Sequence, residues 1–320
     1  PPNDNEQRRQ QRLPLVLVHG FAAGTALWTL NLDSFASTNR SIYAIDVLGF
    51  GKSSRPNFDK SGAAEIELVD SIERWRQKVG LNDKFIILGH SFGGYLSLSY
   101  ALNYPNRVSH VILADPWGVP SYQQSQSRNN QQLQIPLWVR IIGTMIFHSF
   151  NPLAGLRAAG PWGPSIIRKF RADLVKKFEG LMGPEKADSI LDYIYHCNAQ
   201  HPSGEIAFKS MSLPVGWAKF PMINRITDLD PNVTLTFIYG SRSWIDRQPG
   251  FQIKYLLGEN RVNIFVINGS GHHVYADKYD EFNNIVNNTC YVVDEREVNL
   301  ANNNQDQVDD DEVDVDSSSS

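Results

Sequence analysis

Six short apolar runs, spaced along a chain of 320 residues, restrict the fold more than any other feature of the sequence: 15–18, 42–45, 85–88, 111–113, 235–239 and 264–267. Apart from Thr236 each is apolar throughout rather than alternating, and Gly, Asp or Asn follows shortly after. A strand buried on one face alternates apolar and polar residues, whereas one buried on both faces reads as a continuous apolar run. Helical stretches such as 65–79 and 94–103 lie between the runs. The alternation predicts an α/β fold with a mostly parallel sheet and helices on both faces. In such sheets ligands bind at the carboxyl ends of the strands, so chemistry is sought in the residues just after each run.

The fourth and fifth runs are separated by about a hundred residues, far more than an ordinary connection of about 2–6. The division that follows is a polar N-terminal segment expected to be disordered (1–12), a first core part (13–118), a helical lid insertion (119–231), a second core part (232–296) and an acidic tail expected to be disordered (297–320). Within the insertion, 135–147 is apolar on nearly all sides yet too short for a bilayer, which needs about 20 residues. It is expected to be a buried lid helix that caps an acyl-chain pocket and dips into a lipid interface, with Trp138 and Arg140 at the boundary.

The formal charge of −4 is concentrated at the end of the chain, where Asp306, Asp309, Asp310, Asp311, Glu312, Asp314 and Asp316 cluster. Without them the body is slightly basic, with no clustered Lys/Arg face of the kind nucleic acids require. No nucleic-acid partner is expected. Cys197 and Cys290 are too few for a disulfide framework and point to a reducing compartment.

Gly89-His90-Ser91-Phe92-Gly93 follows the third run directly. A strand that feeds a serine into a sharp turn before a helix needs small residues two positions before and after, because the neighbouring chains pass close by. A serine hydroxyl is a poor nucleophile at neutral pH, and it requires a histidine base that is oriented by an acid. The expected order is Ser, acid, His. Asp246 after the fifth run and His272 after the sixth supply it, giving Ser91, Asp246 and His272 as the expected triad. Asp115, after the fourth run, is the rival acid but is read as shaping the entrance to the insertion; His273 is the rival base. Phe92, next to the nucleophile, and Phe21, in the turn His19-Gly20-Phe21 after the first run, are the expected oxyanion-hole amides. The turn from Asp46 to Ser53 lacks the first glycine of a phosphate-binding loop and is read as structural. No metal or organic cofactor is expected.

His19-Gly20-Phe21, the Asp46 to Ser53 turn, Gly-His-Ser-Phe-Gly-Gly from Gly89 and Gly-His-His-Val-Tyr-Ala-Asp from Gly271 resemble the α/β-hydrolase fold over residues 13–293. The insertion is similar to that of the α/β-hydrolase-domain-containing protein 4 and 5 subfamily, through Asp115-Pro116-Trp117-Gly118, Asn151-Pro152-Leu153-Ala154-Gly155-Leu156-Arg157, Tyr193-Ile194-Tyr195-His196-Cys197-Asn198 and Gly216-Trp217-Ala218-Lys219. The resemblance implies a serine lipase of intracellular lipid metabolism, acting on phospholipid or lysophospholipid esters such as N-acylphosphatidylethanolamine. It also implies a cytoplasmic protein, peripheral on lipid droplets or the endoplasmic reticulum membrane.

One branch of the subfamily instead activates a patatin-type triacylglycerol lipase and carries asparagine in place of the elbow serine; Ser91 departs from it. For such a co-activator role Arg242 and Gly271 are the partner-contact candidates. The family's His-x4-Asp acyltransferase motif matches as His272 and Asp277, which implies acyl transfer to lysophosphatidic acid as an alternative activity. The family's tryptophan-rich anchoring segment and the first strands of the fold have no counterpart, so an amino-terminally shortened version is expected.

Overall fold

The structure, a computed structural model, describes residues 12–58, 63–122, 153–170, 172–213 and 216–317. The six apolar runs form six strands, β1 (Leu15–Val18), β2 (Ile42–Ile45), β3 (Phe85–His90), β4 (Val108–Ala114), β5 (Thr234–Gly240) and β6 (Val262–Ile267). They pair in the order β2-β1-β3-β4-β5-β6, every pair parallel.

Adjacent residues of one strand supply opposite faces. Val16, Val18, Ile87, Val111, Leu113, Leu235 and Phe237 face one core, and Leu15, Leu17, Ile86, Leu88, Ile112 and Ile238 face the other. That is the physical reason the runs are continuously apolar. The first core is closed by α2 (Ala64–Lys78), α3 (Phe92–Asn103) and α10 (Gln248–Leu257). The second is closed by α1 (Thr29–Ala36), α11 (Val274–Asp277) and the first turns of α12 (Tyr279–Ser317), through Leu30, Phe35, Val274, Phe282, Val286 and Cys290.

Between β4 and β5 lie α4 (Ala154–Ala158), α5 (Gly163–Phe170), α6 (Ala172–Met182), α7 (Pro184–Ala187), α8 (Ser189–Asn198) and α9 (Ser203–Met211). The neck of the insertion is drawn together by backbone bonds from Met222 N–H to Gly118 O and from Ile223 N–H to Val119 O, both 3.0 Å. Phe178 of α6 and Leu191 of α8 join the second core, and Ala207 and Met211 of α9 join the first, so the insertion packs against both faces. The apolar segment 135–147 lies outside the described residues. No described helix is long and apolar enough to cross a membrane.

The last helix, α12, begins at Tyr279 and continues through Ser317. Its first turns are tied down by packed Phe282, Val286, Cys290 and Val293, and by the Arg296 guanidinium, which donates to Thr234 Oγ1 and to the Ser109 carbonyl. Cys197 and Cys290 are both buried free thiols.

Candidate active site

β3 ends in His90, α3 begins at Phe92, and Ser91 between them has φ 51 and ψ −116, a left-handed backbone that a residue with a side chain adopts only when its surroundings impose it. The surroundings do. Ser91 N–H donates to Ala114 O at 3.0 Å, and Trp117 N–H donates to Ser91 O at 3.1 Å, which ties the turn to the end of β4. A Cβ on Gly89 would lie 2.2 Å from Gly93 O, and one on Gly93 would lie 2.3 Å from Val18 O, so neither position accepts a side chain. The Gly-x-Ser-x-Gly spacing is therefore a statement about backbone crowding.

His272 stands on the loop after β6. Its Nε2 accepts from Ser91 Oγ–H at 3.0 Å, and its Nδ1–H donates to Asp115 Oδ2 at 2.6 Å. Asp115 is wholly buried and also has positive φ, at 45°. Two further donors hold its carboxylate: Gly240 N–H at 3.2 Å on Oδ1, and the Ser243 hydroxyl on Oδ2. A buried carboxylate is tolerated only when donors satisfy it, and here three do.

Asp246, expected to orient His272, does not occupy this place. It is exposed, and its Oδ1 accepts the Gln248 N–H at 2.9 Å at the start of α10. The reason lies in strand order. β4 is the immediate neighbour of β3, so the residue after Ala114 emerges beside Ser91, whereas Asp246 is six positions beyond Gly240, the last residue of β5. Those positions are spent on a loop that is sewn to the His272 loop by Ser241 N–H to Ile267 O at 3.0 Å and Arg242 N–H to Ser270 O at 2.8 Å. That loop reaches Asp115 through Ser243, a contact no spacing in the sequence signals.

Phe92 opens α3, where the first amides of a helix have no intrahelical carbonyl to donate to. The first-strand turn runs beside it: a Cβ on Gly20 would lie 3.2 Å from Ser91 Cβ, so Phe21 follows a backbone in contact with the nucleophile. His19 sets this turn. Its Nδ1–H donates to Gly20 O at 2.7 Å while Nε2 accepts Val47 N–H at 3.0 Å, which requires a neutral ring. Burial lowers its pKa accordingly.

His90 donates Nε2–H to the His272 carbonyl at 2.9 Å, while its Nδ1 is buried without a partner. Burial first, then the neighbouring His272 and His273, push its pKa well below the ordinary histidine range. His273 packs on His90 and Tyr275 at ring-centroid distances of 5.3 and 5.9 Å and is not the residue on Ser91. Asp277 Oδ2 accepts Gly271 N–H at 2.7 Å and Oδ1 pairs with Lys177 Nζ at 2.8 Å, so this carboxylate addresses the base loop and the insertion. Arg242 is exposed and Gly271 partly so. The turn that superficially resembles a phosphate loop is closed by its own Asp46, which accepts Thr25 N–H at 2.8 Å and Lys52 N–H at 2.9 Å.

An aromatic cluster packs beside the Ser91 turn. Phe208 of α9 lies between both oxyanion-hole candidates, 4.5 Å from the Phe21 ring and 5.0 Å from Phe92, with Trp117 at 4.8 Å. On the other side Trp244, 71% exposed, is 5.0 Å from the His272 ring.

A serine in a strained strand-to-helix turn, hydrogen-bonded to a histidine that is held by a buried carboxylate, is the arrangement that a nucleophile, its base and an orienting acid require. A family model described as alpha/beta hydrolase fold matches residues 14–162. The rat 1-acylglycerol-3-phosphate O-acyltransferase ABHD5 is 48% identical over 285 residues, covering 88% of this chain and 78% of its own. The chain belongs to the α/β-hydrolase family.

Within that family it falls in the protein 4 and 5 subfamily suggested by its insertion, since the human (lyso)-N-acylphosphatidylethanolamine lipase is 46% identical over 287 residues, covering 89% of this chain and 81% of that protein. Among solved structures, a carboxylesterase of Nitrososphaera gargenis aligns with a TM-score of 0.60 at 18% identity, covering 89% of this chain and 92% of its own. An esterase of Thermogutta terrifontis with malate bound gives 0.57 at 18%, covering 88% and 90%. At that identity the likeness concerns the fold alone. It accords with the parallel sheet and flanking helices of this hydrolase-fold chain.

Proposed function

We propose that this protein is a serine lipase that hydrolyses acyl esters of phospholipids or lysophospholipids, N-acylphosphatidylethanolamine among them. The observation that carries the reading is the contact series from Ser91 Oγ to His272 Nε2 at 3.0 Å and from His272 Nδ1 to the buried Asp115 at 2.6 Å. Ser91 Oγ forms a bond to the ester carbonyl carbon as its proton passes to His272 Nε2. The Phe21 and Phe92 amides take the oxyanion, each donor contributing about 3–4 kcal/mol of barrier lowering. Collapse breaks the bond to the alcohol oxygen, which leaves with the proton from Nε2, and the acyl group stays on Ser91. Water then adds to the acyl carbon, gives its proton to Nε2, and the fatty acid departs as that proton returns to Ser91.

The lipid character of the substrate rests on the names of the relatives and on the apolar aromatic cluster of Phe21, Phe92, Trp117 and Phe208 beside Ser91. Acyl transfer is the second reading, supported by the acyltransferase name carried by the relatives at 47–48% identity. Here lysophosphatidic acid takes the place of water at the same acyl-enzyme. Peripheral attachment to a lipid droplet or the endoplasmic reticulum membrane belongs to this reading, with exposed Trp162 and Ile166 beside Arg168 and Lys169 suited to an anionic interface. A patatin-type lipase partner would meet the mouth at Arg242 and Gly271.

A fluorophosphonate probe together with lipid product analysis tests the proposal. Wild type should label and release fatty acid from mixed phospholipids, and Ser91→Ala should do neither. Folded wild-type protein that does not label, and that stimulates a patatin-type lipase equally well as Ser91→Ala, would replace the lipase reading with the co-activator one.

A further inference from the structure

The Asp277 carboxylate joins two parts of the molecule that are distant in sequence. Through Oδ2 it accepts the amide of Gly271, the residue directly before the base, at 2.7 Å. Through Oδ1 it pairs at 2.8 Å with Lys177 Nζ on α6 of the insertion, and Lys177 also reaches Asp173 at 3.2 Å. Lys177 and Asp277 are 17% and 16% exposed, so the pair is neither a solvated surface contact nor fully desolvated. In that intermediate setting an ion pair reinforced by a backbone hydrogen bond holds its geometry better than an exposed pair does.

The loop it grips has little freedom elsewhere. The Gly271 carbonyl presses on Gly240 so closely that a Cβ there would lie 2.2 Å away, the His272 carbonyl accepts from His90, and Ser270 O accepts from Arg242 N–H. Strand β3, the loop after β5 and the insertion thus each hold one side of the peptide that carries the base. The contact on the insertion side alone passes through a salt bridge.

We infer that Lys177 and Asp277 are positioning residues: through the Gly271 amide they fix where His272 stands relative to Ser91, and they make that placement depend on the insertion lying against the core. The inference rests on the serine-hydrolase reading. It assigns Asp277 of the His-x4-Asp motif to orienting the base rather than to handling an acyl acceptor.

The test compares full-length wild type, Lys177→Met, Asp277→Asn, Asp277→Ala, the double variant Lys177→Met/Asp277→Asn, and Lys176→Met as an exposed neighbour that loses the same charge. Two readouts are taken: the second-order rate of fluorophosphonate labelling, and the downfield proton resonance of His272 Nδ1–H bound to Asp115. Misplacing a catalytic group by an ångström costs up to about 100-fold. Lys177→Met and Asp277→Asn should each label about 10-fold more slowly, and Asp277→Ala more slowly still, because it also orphans the Gly271 amide.

The double variant should be no slower than either single one, as expected for two residues acting through one contact. The His272 resonance should move in Lys177→Met and stay in Lys176→Met. Unchanged labelling with an unmoved resonance in folded Lys177→Met, or additive losses in the double variant, would overturn the inference. If wild type itself does not label, the lipase reading fails, and the resonance alone decides this one: movement in Lys177→Met supports it and no movement overturns it.

Discussion

Asp115, buried at the end of β4, holds His272 from a strand adjacent to the one that carries Ser91, its Oδ2 lying 2.6 Å from Nδ1. The acid thus comes from the middle of the sheet, before the insertion, rather than after it. Backbone bonds from Ser91 to Ala114 and from Trp117 to Ser91 bracket it, so Ser91 and Asp115 are set by one local structure and His272 is delivered to both.

The two candidate acids separate cleanly on replacement. Asp115→Asn should lower kcat by about 10⁴-fold, since the amide no longer selects the tautomer with a free Nε2. Asp246→Asn, on an exposed turn, should change stability by less than about 0.5 kcal/mol and leave kcat within about twofold. Steady-state kinetics on one soluble ester measure both, and equal losses in the two variants would return Asp246 to the triad.

Phe208 fills the space between Phe21 and Phe92 and is only partly buried. Replacing it by alanine should enlarge the acyl site, shifting preference toward bulkier acyl chains while sparing short ones. A single methylene gained or lost in a hydrophobic pocket alters discrimination by about 10- to 200-fold. A series of ester chain lengths reads it; an unaltered ratio of kcat/KM between short and long chains would place the acyl chain elsewhere.

His90 gives a pH dependence of stability with a definite sign. Its folded-state pKa is depressed by burial and by His272 and His273, so the folded protein refuses a proton that the unfolded chain accepts below about 6.5. Unfolding is then favoured progressively as pH falls from about 7 to 5, with a slope of up to about 1.4 kcal/mol per pH unit from this group. Urea midpoints across that range should fall more steeply for wild type than for His90→Gln, and parallel slopes would show that another group is responsible.

Gly93→Ala tests the crowding of the elbow. Its new Cβ would meet Val18 O at 2.3 Å and His19 O at 2.4 Å, both backbone atoms that cannot swing away. Overpacking of this kind costs about 1–3 kcal/mol, so thermal unfolding should occur several degrees earlier, and activity should fall as α3 is pushed from β1. Gly180→Ala, where a Cβ meets nothing within 4 Å, should lack the overpacking penalty and serves as the comparison.

Much of this protein was legible in its sequence because the relevant physics is local. The central strands are buried on both faces and so read as near-continuous apolar runs, and the runs marked the six strands although the edge strands β2 and β6 are partly exposed. A serine at positive φ between crowded backbones needs glycine at fixed offsets, so Gly89, Ser91 and Gly93 marked the turn. His272 followed from its place after the last strand. Which carboxylate meets His272 was decided only in three dimensions, because it depends on β4 lying next to β3 and on how far the loop after β5 runs before Asp246. Asp115 and Asp246 each follow a strand, and only sheet order and loop path separate them. The same holds for Phe208 between the oxyanion-hole candidates and for Lys177 on Asp277: contacts across about a hundred residues carry no periodicity or spacing, and only the packing of the insertion on the core creates them.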